Sequence, residues 1–463
     1  MKKLMIVGFI VLTLNCQAQF IEKAAPTDIE LQINNAKSAP ELLKISTIAF
    51  KKSDFKNQVK ALEKLIKIKP NVPFFQYKLA QAYSLANNKS AAFNALVALQ
   101  KQGLYYDVAN NKNFDNIKSF PVFKYIKENL DANNAHFGEG LEVFKIDKSF
   151  SGLLFETLVV DSKNSRFLLG SLRDGRVIKV ENNGDISNLI EPTQGGLTGP
   201  WSVIDLEIDA KNNVLWVASA AISQYAKLSK ESAGLAGIFK YNLTTGELIK
   251  SFLLPEKSKP YLLATIHLAK NGKLYVLESI RSSILELNQK TGEFLLVLKA
   301  QGFKRLRKMT SDDTGRFLYV TDEEKGILVA DLPKEKTYLI ENTSALLLAG
   351  ISEIIYDDNG LIIIQAGNKP ERVMRLQLNK TKLVVSNVFP IESAHPKFNN
   401  PSSGVVFDGG IYYVANSQLA KTNKYGGLLR GQSWDDVYVV SSAKHYKEQE
   451  TLDYQKQVDK YRK

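Results

Sequence analysis

Two periodicities divide the chain. Between residues 22 and 135 apolar side chains recur three and four positions apart, as in ELLKISTIAF, QVKALEKLIKI, FFQYKLAQAYSLA and SAAFNALVALQKQ. That spacing puts one apolar stripe on each of a series of α-helices. Breaks at Ser53-Asp54, Lys69-Pro70-Asn71 and Asn87-Asn88 predict two helical hairpins. DANNAHFGEG, residues 131–140, is a polar, glycine-bearing link, and beyond it the pattern changes to the alternation of β-strands.

One unit recurs in this second part. MTSDDTGRFLYVTD, from Met309, is an apolar run, a polar turn with Gly315 and a second strand-like run. Versions begin at Leu158, Leu206, Ile266, Ile354 and Val405, and the residues aligned at the turn are Asp161, Asp209, Ala269, Asp312, Asp357 and Asp408, spaced by 48, 60, 43, 45 and 51 residues. Turns such as Asn182-Asn183-Gly184 and Thr244-Thr245-Gly246 supply further hairpins. Hairpins repeating at this interval predict an all-β six-bladed propeller over residues 141–442, preceded by an all-α helical-repeat domain over residues 22–135. DDVYVVSS, from Asp435, is expected to share a blade with FKIDKSF, from Phe144, since joining the last strand to the first leaves the ring no open edge.

The termini change the picture of where the chain works. Lys2 and Lys3, the apolar run Leu4 to Leu14, and Cys16-Gln17-Ala18 predict a secretory signal peptide over residues 1–18, with an apolar core too short to span a membrane. The location expected is periplasmic or extracellular. A rival reading makes Cys16, with Leu14 close before it, the lipid-anchored first residue of a lipoprotein. Residues 443–463 are a charged tail with no apolar stripe. Cys16 is the only cysteine, so no disulfide framework holds the fold. The net charge of +13 raises the question of nucleic acid, but the lysines are scattered, not interleaved with aromatics, on a chain expected to be exported. The partner expected is a small molecule or a protein, with no nucleic acid and no transmembrane span.

Two resemblances add to this. If a repeat begins at Pro73, then Leu79, Ala80, Tyr83, Ala92, Leu96 and Leu99 fall at the large, small and aromatic positions of a tetratricopeptide repeat. A weaker copy lies 34 residues earlier, from Ala39, with Ile45, Ser46, Leu62, Leu65 and Pro70 in place and Ala49 and Gln58 departing from it. The stretch resembles tetratricopeptide repeats, which implies close-packed helix pairs and either structural packing or a partner-binding role. The blade units, with SLRDGRVIKV from Ser171 and IYYVANSQ from Ile411, resemble the six-bladed propellers that include gluconolactonases and regucalcin-like proteins. That resemblance implies a divalent cation, usually calcium, at the mouth of the central channel, where it would polarise a lactone carbonyl while a nearby Asp acts as base.

Glu156 matches the first cation ligand of that family, and Asp205 is the second candidate metal ligand. The residues five before each aligned turn are Glu156, Ile204, Ala264, Arg307, Ser352 and Ser403, followed by Thr157, Asp205, Thr265, Lys308, Glu353 and Gly404. Ile204 and Ala264 stand where the family has Asn. The ligand-binding candidates are therefore Glu156, Asp205, Glu353 and Arg307, with Asn416 from a later strand and Trp201 as a stacking face. The plainer readings are acids that bond loop amides, a structural Arg307 ion pair and aromatics packed between blades. His267 is read either as a base facing the channel or as a hydrogen-bonded strand histidine, and no catalytic residue is assigned. The long loops Ala220 to Gly237 and Asn416 to Trp434 are where ligand contacts are expected. The function expected is an exported propeller that binds a ligand or protein partner. The alternative is a divalent-cation-dependent hydrolase of lactones or related esters.

Overall fold

The structure is a computed structural model and describes residues 29–194 and 196–445. The expected signal peptide, the Cys16 anchor and the tail from residue 446 onward lie outside the described residues. Among the described residues no helix is long and apolar enough to cross a membrane. They form two compact units: a helical one, up to Leu99 with Asp107–Lys127, and a strand-rich one, Gln100–Tyr106 with the chain from Glu128 onward.

In the helical unit, α1 (Ile29–Asn35), α2 (Ala39–Lys51), α3 (Phe55–Ile68) and α4 (Pro73–Leu85) follow one another, and α5 (Lys89–Lys101) begins after a short turn. Polar residues at the breaks start and stop these helices. The Ser38 hydroxyl accepts from the amide of Glu41 while the Glu41 carboxylate accepts from that of Ser38, and Asp54 caps α3 through the amide of Asn57. Such reciprocal capping satisfies amides that have no partner within the helix. Leu42, Ile45, Leu62, Leu65 and Leu79 form the buried stripe, and Ala61 and Ala82 leave room for the helices to approach.

The strand-rich unit is a six-bladed propeller. Its inner strands are Phe155–Asp161, Ser202–Asp209, Leu263–Leu268, Leu306–Ser311, Ile351–Asp357 and Gly404–Phe407, each the first of an antiparallel sheet. They pack against one another in that order, and the sixth returns to the first. In the sixth sheet Val437–Ala443 lies between Gly410–Val414 and Leu141–Ile146, with Val439 opposite Phe144. The ring is thus closed as the sequence predicts. The fifth sheet gains an extra strand, Glu341–Asn342, parallel to Val384–Ser393.

The second strand of a blade is buried on both faces, because neighbouring blades cover it. Every residue is buried in Arg166–Ser171, Val214–Ala220, Phe317–Asp322 and Gly360–Gln365. Trp201, Leu206, Leu215 and Phe239 fill the space between the first two blades.

The turn at Thr244-Thr245-Gly246 also acts between blades. Asn242 accepts from the amides of Thr244 and Thr245, and Gly246, at φ 73°, lies so close to the first blade that a Cβ would overlap the carbonyl oxygen of Leu189. Gly246→Ala is expected to lower unfolding stability in urea by at least about 2 kcal/mol, through positive-φ strain and this overlap together. A loss below about 0.5 kcal/mol would show that the first and second blades are loosely coupled there.

Candidate functional site

The inner strands converge on the axis, and all six start at the same end of the ring. The antiparallel order of each blade brings the turn between its second and third strands, and the connection to the next blade, to that same end. This loop face holds both long loops. The loop at 221–235 folds back on the first blade: the Ala226 amide donates to the Arg173 carbonyl and Tyr225 Oη lies 2.9 Å from Thr193 Oγ1. The loop at 415–436 carries a small bridge between Thr422 and Leu428, and its Tyr425 carbonyl accepts from Arg173.

An inner strand has one edge with no neighbouring strand, so its amides need other partners. Side chains of the preceding blade supply them. Asp205 accepts from the amide of Ile266 at 3.1 Å, Glu207 from Leu268 at 3.2 Å, His267 from Ser311 at 3.1 Å, Thr310 from Tyr356 at 3.2 Å and Ser403 from Leu158 at 3.1 Å. Polar residues that face the channel therefore also join one blade to the next.

A common distortion builds the layer at the mouth. In each of the first five blades the pairing of inner and second strand slips, between Phe155 and Leu158, Val203 and Asp205, Leu263 and Thr265, Leu306 and Met309, and Ile351 and Glu353. Bulges re-aim side chains, and here five residues at one level join in a single network. Asp205 accepts from Thr157 Oγ1 at 3.3 Å, from Lys308 Nζ at 3.3 Å and from Thr265 Oγ1. Lys308 Nζ also lies 3.3 Å from Glu353 Oε2, and Glu353 Oε1 accepts from the Ile354 amide at 3.0 Å.

The charges within this network depend on one another. Burial opposes the Lys308 ammonium, but Asp205 and Glu353 outweigh it and hold the group well above the usual lysine range. Burial pushes the Glu353 carboxyl up, against the pull of Lys308. Glu156 stands beside the network, accepts from Ser417 Oγ and is pushed up by burial to about 7.

Lys308, expected from the sequence to bring positive charge to the mouth with Arg307 but not among the candidate ligand contacts, occupies the same repeat position as Asp205 and Glu353 and joins the two. Arg307, the neighbouring candidate, is largely exposed, pairs with Glu323 at 2.9 Å and, with Lys308, pulls the Glu156 carboxyl down against burial. Trp201 is wholly buried, with Nε1 donating to the Gly196 carbonyl at 2.9 Å and its ring edge-on to Phe239. Asn416 clamps the last strand: its amide donates to the Asp436 carbonyl at 2.7 Å and accepts from the Tyr438 amide at 2.8 Å. Of the six candidates, the structure brings Asp205 and Glu353 together through Lys308, with Glu156 alongside.

These residues do not fit a calcium site. Asp205 already accepts from four donors, and the Lys308 ammonium supplies at the axis the positive charge that a cation would bring. Among the described residues no cluster of three or more His, Cys, Asp or Glu is arranged to hold a metal ion.

A second polar line lies further along the channel. His267 Nε2 accepts the Ser311 amide and lies 2.9 Å from Ser311 Oγ, while Nδ1 lies 3.2 Å from Glu207 Oε1. Since Nε2 takes a backbone proton, the ring proton is assigned to Nδ1, where it donates to Glu207. The three residues are arranged like a relay, but the Nε2 lone pair is already used in joining blades.

No family model and no curated protein matches the chain. Among solved structures it is similar to the PQQ-bound aldose sugar dehydrogenase of Streptomyces coelicolor, at 11% identity over 66% of this chain and 99% of that one, with a TM-score of 0.43. It is similar to virginiamycin B lyase of Staphylococcus aureus at 12% identity over 66% and 99%, TM-score 0.42. It is also similar to a luciferin-regenerating enzyme at 8% identity over 66% and 95%, TM-score 0.46. The names describe three different chemistries, and none of them is carried over to this chain.

Proposed function

We propose that this chain is an exported binding protein in which the propeller is a rigid scaffold and the loop face presents the contacts to a ligand or protein partner. The observation that carries this reading is Lys308 Nζ, 3.3 Å from both Asp205 and Glu353. An internal ion pair occupies the place where a cation-dependent hydrolase would need open oxygen ligands. The N-terminal sequence supports export. The helical unit fits the tetratricopeptide reading in its 34-residue period and in the complete burial of the small residues Ala80 and Ala92, and it adds a second surface for a partner.

The other reading is hydrolysis of a lactone or related ester, and one observation favours it. The Glu156 carboxyl, pushed to about 7, exchanges its proton near neutral pH as a general acid or base does. Calorimetric titration with calcium separates the two readings. No saturable binding is expected up to about 1 mM, the weak end for extracellular calcium sites. Saturable binding that disappears in Glu156→Gln would overturn the binding-protein reading and direct attention to lactone substrates.

A further inference from the structure

A cleft of about 900 Å³ opens on the loop face, bounded by the segment leading into the inner strand of the sixth blade and by residues 433–436, which lead into that blade's third strand. Ligand clefts commonly measure roughly 300–1,000 Å³. Lys308 and Glu353, at the centre of the axial network, do not line it.

Two aromatic side chains stand in its wall, each held by its neighbours. Trp434 packs against Gly152, whose Cα side lies in contact range of the indole: a Cβ there would stand an ordinary 3.6 Å from Nε1 and Cε2. Phe398 packs between the rings of His395 and Tyr413, at centroid distances of 5.4 and 5.8 Å. A third ring, Tyr438, is covered by the ammonium of Lys397, 3.7 Å from its centroid. Trp434 is partly exposed at the cleft, whereas Trp201 and Trp216 are buried at 0% and 1%.

Polar groups surround these rings. Among the described residues the side-chain amide of Asn399 has no protein partner, while its backbone amide is fixed to the Ala415 carbonyl. The charged lining is Asp147, Asp435 and Asp436 with Lys148 and Lys397. Asp435 is paired with Lys421, and Asp436 with Lys145 at 3.0 Å. The lining therefore has no excess of positive charge to attract an anion, and two of its carboxylates already have partners. An open cleft with rigid aromatic faces, a free amide and balanced charge suits a ligand with apolar C–H faces and many neutral hydroxyls.

We propose that this cleft binds a neutral saccharide, with a sugar ring stacked on Trp434 and its hydroxyls bonded to Asn399 and Asp435. The proposal rests on the reading of the loop face as the binding face. With Trp201 and Trp216 buried, a change in tryptophan emission on binding reports on Trp434.

The test is fluorescence and calorimetric titration of the full chain with maltotriose, cellotriose and chitotriose, and with trigalacturonate as the charged comparison. At least one neutral trisaccharide is expected to bind and change the emission. Trp434→Phe should remove the optical change, and Asn399→Ala, at an exposed position that leaves folding intact, should weaken affinity about tenfold, the loss of one good hydrogen bond. No binding by any neutral trisaccharide, a preference for trigalacturonate, or affinity unchanged in both Asn399→Ala and Trp434→Ala would overturn the proposal. The calcium titration tests the broader reading independently. A failed saccharide panel without calcium binding removes only the saccharide, whereas calcium binding lost in Glu156→Gln removes the binding-protein reading itself.

Discussion

Lys308→Met is expected to lower unfolding stability in urea by about 3–5 kcal/mol near neutral pH, the usual cost of removing one member of a buried ion pair. The methionine keeps most of the volume and the apolar stem, so the loss comes from charge. Without the ammonium, Asp205 and Glu353 face each other across a poorly solvated axis, and Glu353, whose carboxyl burial already pushes up, is left with the repulsion of Asp205. The deficit should therefore shrink as pH falls from 8 toward 4 and the acids become neutral. Urea unfolding at four or five pH values measures this. An equal deficit at pH 4 and pH 8 would show that Lys308 acts through packing and would remove the electrostatic account of the mouth.

Glu156→Gln is expected to change stability in the opposite direction. The folded carboxyl holds its proton to about 7, against 4.5 for the same group in the unfolded chain. Between those values the native state binds more protons than the unfolded state, so wild-type stability falls as pH rises through the window and is level above it. Glutamine is neutral throughout. The variant should match the wild type near pH 4 and exceed it by about 3 kcal/mol at pH 8. Equal stabilities at both ends would mean that Glu156 is well solvated, which would also remove the support it gives to acid–base chemistry. Since Lys308 lowers the Glu156 carboxyl, the two variants are not additive: in Lys308→Met the gain from Glu156→Gln should be larger.

The ring could be read from the sequence because each blade spells out its own hairpin, with a turn residue such as Gly315 between two apolar runs. Alignment on that turn also put Thr157, Asp205, Thr265, Lys308 and Glu353 at one level, the level at which the network forms. What the alignment could not give was direction. A strand shows alternate residues to opposite faces, and a bulge exchanges them. At the slip between Leu306 and Met309 Lys308 is buried between Asp205 and Glu353 while Arg307 stays exposed beside Glu323, and no pattern of apolar and polar residues records it. Trp201 is a second case. Its sequence neighbours Gly199 and Pro200 suggest an open loop, but the ring fills the space between two blades, and that depends on residues such as Phe239 that lie far along the chain. The cleft beside Trp434 is formed by segments from both ends of the propeller, so nothing local in the sequence marks it.

The strand that closes the ring has a consequence for how the molecule is made. Leu141–Ile146 is synthesised before any other strand of the propeller, yet it pairs with Val437–Ala443, which comes after all the others. Contacts so distant along the chain form slowly. As a nascent chain lengthens, complete sheets accumulate while the first strand waits with its hydrogen-bonding edge unused. Until Val437–Ala443 arrives, that edge is open to the matching segment of another copy, so an interrupted chain is poised to exchange strands with its neighbours.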